Sequence, residues 1–349
     1  MGELSNIPDD ESSHLEKLRD ALLDAPVDLA LFSGSLRRLF NEVNVTGQDD
    51  ATRTFLEVRD STRQQSIVYS KEILPKTEEA IKMISSYMDS YSDLDFDEWA
   101  ECLNDTLEEL KEAKDVCEVL RHMHNEIIIG MKKNEDKAVV GIEKLEEMKN
   151  QYARQRQDLI KEARESKEKA QSTRFWGAVF GGVTLGISAA ICEGVASGHD
   201  LESDRKTAEA VAKLQNAEIA SKAVMLTSTE LIPAIGNFIK SLEVCVSFIN
   251  LSKTKVEKMI SAGNHGAKQK YYKMMKNRAK EISELCEMFV SVTDRMRNNL
   301  AAIPENPDDK NYVDQWLERQ LEEFAQKEER DRSRFVKYFR SQTKAVKNN

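Results

Sequence analysis

An uncharged stretch of 18 residues, Phe175 to Cys192, lies in the middle of a chain in which 32% of the residues are charged. A helix needs about 20 apolar residues to cross a bilayer core of roughly 30 Å, so this stretch is close to the threshold length. Four of its residues are glycine, and Thr184 and Ser188 are polar, which makes it less apolar than an ordinary transmembrane helix. It therefore predicts an element that enters a membrane conditionally.

Glycine spacing supports the same interpretation. The pairs Gly177/Gly181, Gly182/Gly186 and Gly194/Gly198 each have the G-x-x-x-G spacing that lets helix backbones approach closely in lipid. Glycine also tolerates positive φ, so a β-hairpin or an irregular tongue is equally compatible with the segment. We call residues 175–198 the tongue. Its predicted membrane-inserting residues are Phe175, Trp176, Gly177, Val179, Phe180, Gly181, Gly182, Val183, Leu185, Gly186, Ile187 and Ile191.

Two other structures for the tongue stay open at this point. It could be the buried hairpin of a helical bundle, or a permanent single-span anchor. Its weak hydrophobicity and the long charged arms on both sides disfavour the anchor. Phe175 and Trp176, directly after Arg174, are typical of the aromatic residues found at a membrane interface.

The rest of the chain predicts an all-α fold. It has only six prolines, none between Pro75 and Pro233, and it is dominated by good helix formers. Before the tongue, apolar residues recur at every seventh position, with one histidine among them, which predicts a helical packing seam. The positions of this heptad seam are Leu103, Leu110, Cys117, His124, Met131, Ala138, Leu145, Tyr152 and Leu159.

These patterns predict an elongated bundle of long antiparallel helices with the tongue at the tip of the longest pair. Residues 1–96 would hold an N-terminal amphipathic helix and the first bundle helix. A stalk helix would ascend over 97–174, and a second would descend over 199–261 with a kink near Pro233. Residues 267–349 would form C-terminal bundle helices after a turn at 262–266, with Asp308 or Asp309 as a helix cap.

The N-terminal region carries a second apolar pattern. Leucine and phenylalanine recur at intervals of three and four, interrupted near Pro26, which predicts an amphipathic helix. At rest such a helix would pack its apolar face on the bundle, and a helix packed in this way could be released later. The residues of this possible pore-lining helix are Leu15, Leu18, Leu22, Leu29, Phe32, Leu36 and Phe40.

A glycine-rich tongue at the tip of two long helices, with an amphipathic N-terminal helix, resembles the α-helical pore-forming toxins of the cytolysin A, haemolysin BL and xenorhabdolysin type. The resemblance is architectural and covers about residues 10–345. It implies a soluble resting monomer whose tongue inserts on membrane contact, followed by assembly of a homo-oligomeric ring. It also implies that the N-terminal helix can cross the bilayer, and that a second toxin component can be required.

Charge and targeting signals narrow the remaining classes. The net charge of −10 argues against nucleic acid as the main partner. Because the N-terminus does not resemble a signal peptide, we expect synthesis in the cytoplasm, release by an unconventional route and action at a target-cell membrane. Five widely spaced cysteines predict no disulfide framework.

We expect no enzyme. The sequence lacks a catalytic motif, a dinucleotide fingerprint and a zinc pattern, so no catalytic residue, cofactor or metal site is predicted. His122 and His124 are two residues apart and would point about 200° apart on a helix, which prevents them from sharing a metal. Two alternatives to the pore former stay open. One is a non-lytic coiled-coil scaffold or membrane-tethered interaction protein, and the other is an intracellular apolipoprotein-L-like membrane effector.

Overall fold

The computed structural model of the chain describes residues 8–42, 50–167, 219 and 223–327. These residues are helical apart from short turns and contain no strand, which confirms the predicted all-α class. The helices are α1 (Pro8–Glu42), α2 (Asp50–Val68), α3 (Leu74–Asp93), α4 (Phe96–Glu101), α5 (Leu103–Lys167), α6 (Ile232–Ala262), α7 (His265–Ala301) and α8 (Asp309–Lys327).

The chain divides into two compact units. The first contains Met1–Glu42, Val58–Glu135 and Met225–Asn349, and the second contains Val43–Glu57 and Asp136–Val224. In the first unit α1 packs against α6 and α7, while α3 packs against α7. The Arg297 guanidinium pairs with Glu78 at 2.6 Å, and the Ser85 and Ser283 hydroxyls lie 2.9 Å apart. These pairs show that α3 and α7 are antiparallel neighbours.

The heptad seam of α5 faces the protein interior wherever its side chains are described. In the first unit Leu103, Leu110, Cys117, His124 and Met131 are all buried. Ala138, in the second unit, is buried as well. The seven-residue period therefore identified the packed face of α5 correctly at these positions. The side chains of Leu145, Tyr152 and Leu159 lie outside the described part.

Two prolines each follow a π-helical turn. The turn Tyr69–Ile73 lies between α2 and α3 and is followed by Pro75, and the turn Thr227–Leu231 precedes α6 and is followed by Pro233. Proline lacks a backbone donor and clashes with the carbonyl four residues earlier. A π-helical turn is wider and bonds residues five apart, so it can absorb this conflict. Where the sequence predicted a kink near Pro233, the structure thus has a π-helical turn.

Two breaks between helices have clear local causes, and one of them lies at the turn expected at 262–266. The α3–α4 break ends at Asp95, whose carboxylate accepts bonds from the backbone N–H groups of Asp97 and Glu98 and caps α4. Between α6 and α7, Gly263 has a φ of 61° in the left-handed region, and Asn264 then caps α7. Only glycine adopts this φ without a steric cost, which explains its place at the end of α6.

The start of α8 is fixed by an acidic side chain. Asp309 is buried, forms an ion pair with Arg63 and accepts a hydrogen bond from the backbone N–H of Asn306. These contacts lower the pKa of Asp309 against the effect of its burial, which is the largest influence and acts to raise it. Asp309 therefore anchors the beginning of α8 to α2 within the first unit.

One helical stretch among the described residues, Ala223–Ala262, has the length and composition to cross a membrane. Half of its most apolar window is buried inside the protein. The interior residues include Phe238, Leu242 and Ile249. A core helix of a bundle satisfies the same test, and the burial of these side chains fits that interpretation.

Candidate membrane-active site

The tongue lies outside the residues that the structure describes. The twelve predicted inserting residues, from Phe175 to Ile191, therefore remain a prediction from the sequence. The other candidate membrane element, the N-terminal helix, corresponds to α1.

All seven predicted apolar residues of α1 are buried. Leu18, Leu22, Leu29, Phe32 and Leu36 are completely inaccessible, and Leu15 and Phe40 are nearly so. Helix α1 packs against α6 and α7. The Phe32 ring centroid lies 4.8 Å from that of Tyr69 in the π-helical turn, and the Arg59 guanidinium of α2 lies 4.5 Å from the Phe40 ring centroid. Each buried apolar side chain of α1 contributes about 1.5–3 kcal/mol when it leaves water. Because a lipid tail offers an equally apolar surrounding, this contribution holds α1 in place against water but not against a membrane.

A second row of apolar residues lies on the outer side of α1. Leu23, Val27 and Leu31 are four residues apart and are 43%, 68% and 43% exposed. Residues four apart lie above one another on a helix, so the three form one continuous strip. The segment Ala21–Phe32 consequently contains only two charged residues, Asp24 and Asp28. This strip was not among the predicted residues, although the four-residue spacing and the low charge of the segment are visible in the sequence.

The outer side of α1 also carries a ladder of carboxylates. Glu16, Asp20, Asp24 and Asp28 follow one another at four-residue intervals. Like charges at this spacing destabilise a helix by roughly 0.2–0.5 kcal/mol per pair. Desolvation raises the pKa of Asp28, while a hydrogen bond with Asn237 of α6 acts in the opposite direction. Arg19 pairs with Asp20 at 2.8 Å, whereas the Asp24 charge is one of the causes that raise the pKa of Asp28, so repulsion in the resting fold acts mainly between Asp24 and Asp28.

Among the described residues, polar contacts with α6, α7 and the π-helical turn before α6 also hold α1, including a bond from the Asn299 amide to the Ser33 hydroxyl at 3.3 Å. Glu16 lies 3.8 Å from Arg278 of α7, in a pair whose side chains are both about half exposed. The Ser35 hydroxyl donates to Glu230 at 2.7 Å, and Arg38 pairs with the same carboxylate. The Ser35 bond is the main cause of the lowered pKa of Glu230. Exposed ion pairs contribute about 0–1 kcal/mol, so the attachment of α1 is mainly apolar.

Pro26 lies inside α1 without ending it. The helix continues from Pro8 to Glu42, and the Pro26 side chain is buried. The sequence had suggested an interruption here. A proline in a helix interior removes the hydrogen bond to the carbonyl four residues earlier, here that of Leu22. The middle of α1 therefore has a weakened backbone at the point where its outer side is most apolar.

A buried histidine lies beneath α1. The His124 Nδ1 atom is 2.7 Å from the carbonyl oxygen of Leu120, which can only accept, so this nitrogen carries the proton. The Nε2 atom, 3.2 Å from the Tyr69 hydroxyl, then accepts a bond from it. Burial lowers the pKa of His124 to about 4. The side chain is therefore neutral at physiological pH, and Tyr69 links it to Phe32 of α1.

Comparison with known proteins gives structural neighbours only. No protein-family model matches the chain, and no curated protein matches its sequence. Soluble SmhB of the tripartite alpha-pore forming toxin Smh from Serratia marcescens is 12% identical with a TM-score of 0.47, over 86% of this chain and 98% of that one. The SmhB pore is 12% identical with a TM-score of 0.39, over 86% and 99%.

A Bacillus cereus HblL1 toxin component is a further neighbour, with 10% identity and a TM-score of 0.27 over 82% of this chain and 96% of that one. The neighbours are toxin components, and the resemblance predicted from the sequence is confirmed to that extent. With identities of 10–12% and TM-scores below 0.5, they carry no argument about the activity of this chain.

Proposed function

We propose that this protein permeabilises membranes by forming a pore, alone or as one component of a multi-component cytolysin. The observation that carries the proposal is the apolar character of α1 on two sides, since only one side is needed for packing. The inner side is seated by apolar contacts, and the outer side presents Leu23, Val27 and Leu31 to solvent. Within Ala21–Phe32 only Asp24 and Asp28 are charged, and a helical segment that is apolar on more than one side is suited to a membrane or a protein interior.

The tongue would make the first contact with the target-cell membrane. Its uncharged stretch, 175–192, is at the threshold length for spanning, and its glycines permit close packing or a change of fold. Transfer of its apolar surface into lipid would supply about 25 cal/mol per Å². This free energy would drive insertion.

Release of α1 would follow and would build the pore wall. The seven buried residues, Leu15 to Phe40, would turn to lipid, and the carboxylate ladder from Glu16 to Asp28 would face the lumen. A ring of carboxylates favours the passage of cations. The ladder then has a use in the open pore that offsets its cost in the resting fold.

In the ring, the outer apolar strip would lie on the lumen side of α1. Leu23, Val27 and Leu31 share the outer side of the helix with the carboxylate ladder, so apolar and acidic residues would both line the pore wall. Haemolysis is the expected activity if red cells carry the target lipid or receptor. A second protein component would complete the pore if the homo-oligomer alone does not leak.

The test is whether α1 must leave its seat for a membrane to leak. A double variant, Glu16→Cys with Arg278→Cys, can be joined by a short reducible bis-maleimide that ties α1 to α7. In the wild type the Glu16 carboxylate and the Arg278 guanidinium at these positions lie 3.8 Å apart. We expect the joined protein to release no dye from liposomes, and we expect reduction of the linker to restore release. Negative-stain images of the leaking sample should show rings.

A matched control shares one of the two positions. Arg278→Cys with Glu281→Cys, a pair 3.1 Å apart on α7, accepts the same linker and leaves α1 untied. It should leak as the unmodified protein does. Leakage from the tied α1 variant at the control rate would refute release of α1. The scaffold alternative would be favoured if the unmodified protein binds the liposomes stably but releases no dye. Dye release would also have to stay absent after addition of a lysate of the cells that naturally make the protein, which would supply a second component.

A further inference from the structure

Three potential metal-ligating side chains meet in the first unit. His122 and Glu126 belong to α5, and Glu323 belongs to α8. One ligand atom from each, an imidazole nitrogen and two carboxylate oxygens, lies within 4.8 Å of the other two. His122 and Glu126 are four residues apart, so they share one face of α5. The group joins two helices that are distant in sequence.

Packing of α8 holds this group together. The Phe324 ring, next to Glu323 in the chain, lies 5.7 Å from the His122 ring, centroid to centroid. Phe324 is buried, and so are residues of the two preceding turns of α8, Trp316, Leu317 and Leu321. The packing of this apolar face of α8 thus determines where along α5 the Glu323 side chain lies. His122 and Glu126 are half-buried, whereas Glu323 is exposed and can adjust.

The donor set matches a divalent transition-metal ion. Zn²⁺ binds imidazole nitrogen and carboxylate oxygen at about 2.0–2.2 Å, which places adjacent ligand atoms about 3.4 Å apart in a tetrahedron. The ligand atoms lie within 4.8 Å of one another, so the group would close by about 1 Å around a bound ion, and the exposed Glu323 side chain is the member freest to move. Glu323 lies 3.9 Å from Arg319, but this ion pair is exposed and weak enough to be displaced.

Two carboxylates and one neutral imidazole give the group a charge of −2. One or two further positions on the ion would remain for water. The mixed nitrogen and oxygen set favours Zn²⁺, Mn²⁺ or Fe²⁺ over Ca²⁺, which prefers six to eight oxygen ligands. We propose that His122, Glu126 and Glu323 form a divalent transition-metal site that ties α8 to α5. This site is independent of pore formation.

Titration of chelator-treated full-length protein with ZnCl₂ tests the site. Wild-type protein should bind one Zn²⁺, and its melting temperature should rise as the ion is added. The variants His122→Gln and Glu323→Gln should each weaken binding by about ten-fold or more, a loss of at least about 1.4 kcal/mol. Addition of Zn²⁺ should then leave their melting temperatures unchanged at the same ion concentration.

Glu322→Gln is the matched control. It removes the same charge from the neighbouring position of α8, outside the group of three, and should bind Zn²⁺ as the wild type does. Far-UV circular dichroism without metal verifies that each variant is folded. If His122→Gln unfolds, the exposed Glu323 position decides the question by itself. Absence of binding to the wild type, or equal affinities of Glu322→Gln and Glu323→Gln, would overturn the proposal.

Discussion

At the scale of single residues, His124 is the position whose chemistry departs furthest from what its sequence pattern predicts. The heptad period places an apolar side chain there, and the structure buries the imidazole completely. Its two nitrogens are satisfied by the Leu120 carbonyl and the Tyr69 hydroxyl. The residue therefore fills the core as a neutral ring. Burial of His124 lowers the stability of the fold only at a pH where its imidazole would take up a proton.

Stability should depend on pH through His124. Its pKa is about 4 in the folded protein and about 6.5 when unfolded, so the unfolded chain binds the proton more readily. The contribution is fully present above about pH 6.5 and is lost as the pH falls toward 4, by up to about 3 kcal/mol. Urea unfolding at about pH 7 and about pH 4.5 should show this loss.

His124→Gln should reduce that loss relative to the wild type, because glutamine does not titrate. The carboxylates common to both proteins titrate in both and cancel in the difference. His265→Gln changes an exposed histidine of α7 and serves as the control. Equal pH dependence of wild type and His124→Gln would contradict the role assigned to His124.

At the scale of helices, two glycines of α5 mark its close approach to α2. A Cβ atom added at Gly141 would lie 2.9 Å from the edge of the Phe55 ring in the second unit. One added at Gly130 would lie 2.4 Å from the side-chain nitrogen of Gln65 in the first unit. In the sequence these two glycines are isolated positions within a long helical pattern. Their partners are more than 60 residues away, and no period reveals them.

The two glycines should respond differently to substitution. Gly130→Ala gains about 1 kcal/mol of helix propensity, and the flexible end of Gln65 can move aside. The methyl group of Gly141→Ala would press on the buried Phe55 ring, which cannot move aside. Overpacking of this kind costs about 1–3 kcal/mol. We therefore expect melting followed by circular dichroism to show an unchanged or higher melting temperature for Gly130→Ala and a lower one for Gly141→Ala. The reverse order would show that Phe55 yields more easily than Gln65.

Sequence periods predicted the helices better than they predicted how those helices are attached. The heptad seam and the turn at Gly263 follow from local chemistry and are found where the sequence places them, and the cap at Asp95 has an equally local cause. The buried ion pair of Arg63 with Asp309 joins positions far apart in the chain, as does the group around His122. Such pairings depend on which helices become neighbours, which a single sequence does not contain.

At the scale of the whole molecule, the proposal joins two elements that the sequence analysis had identified separately. The inner face of α1 was predicted residue by residue, and all seven residues are buried as a resting helix requires. The tongue lies beyond the described residues, so its role rests on length, glycine content and absence of charge. Its test must therefore be functional.

Val183→Asp should abolish dye release from liposomes while leaving the helical content unchanged. A charge in the middle of an inserted segment costs about 2.5–3.5 kcal/mol on insertion scales. Val183→Leu keeps the position apolar and serves as the control, with release close to that of the wild type. Release by Val183→Asp at wild-type potency would remove the tongue from the mechanism, and leakage would then have to begin with α1.

The π-helical turn at Tyr69–Ile73 sets the permitted length of the chain around it. One residue corresponds to about 100° of rotation along an α-helix, so an added residue turns everything beyond it by that angle. Phe55 and Val58 before the turn, and Ile81 and Met88 after it, are nevertheless all buried. If the chain were one residue shorter at this turn, the residues before and after it would be rotated by about 100° relative to each other. Either Phe55 and Val58 or Ile81 and Met88 would then leave the interior. Any natural relative that lacks the widened turn should therefore differ by one residue here, and an alignment that forbids single-residue gaps within helices would pair the wrong core positions.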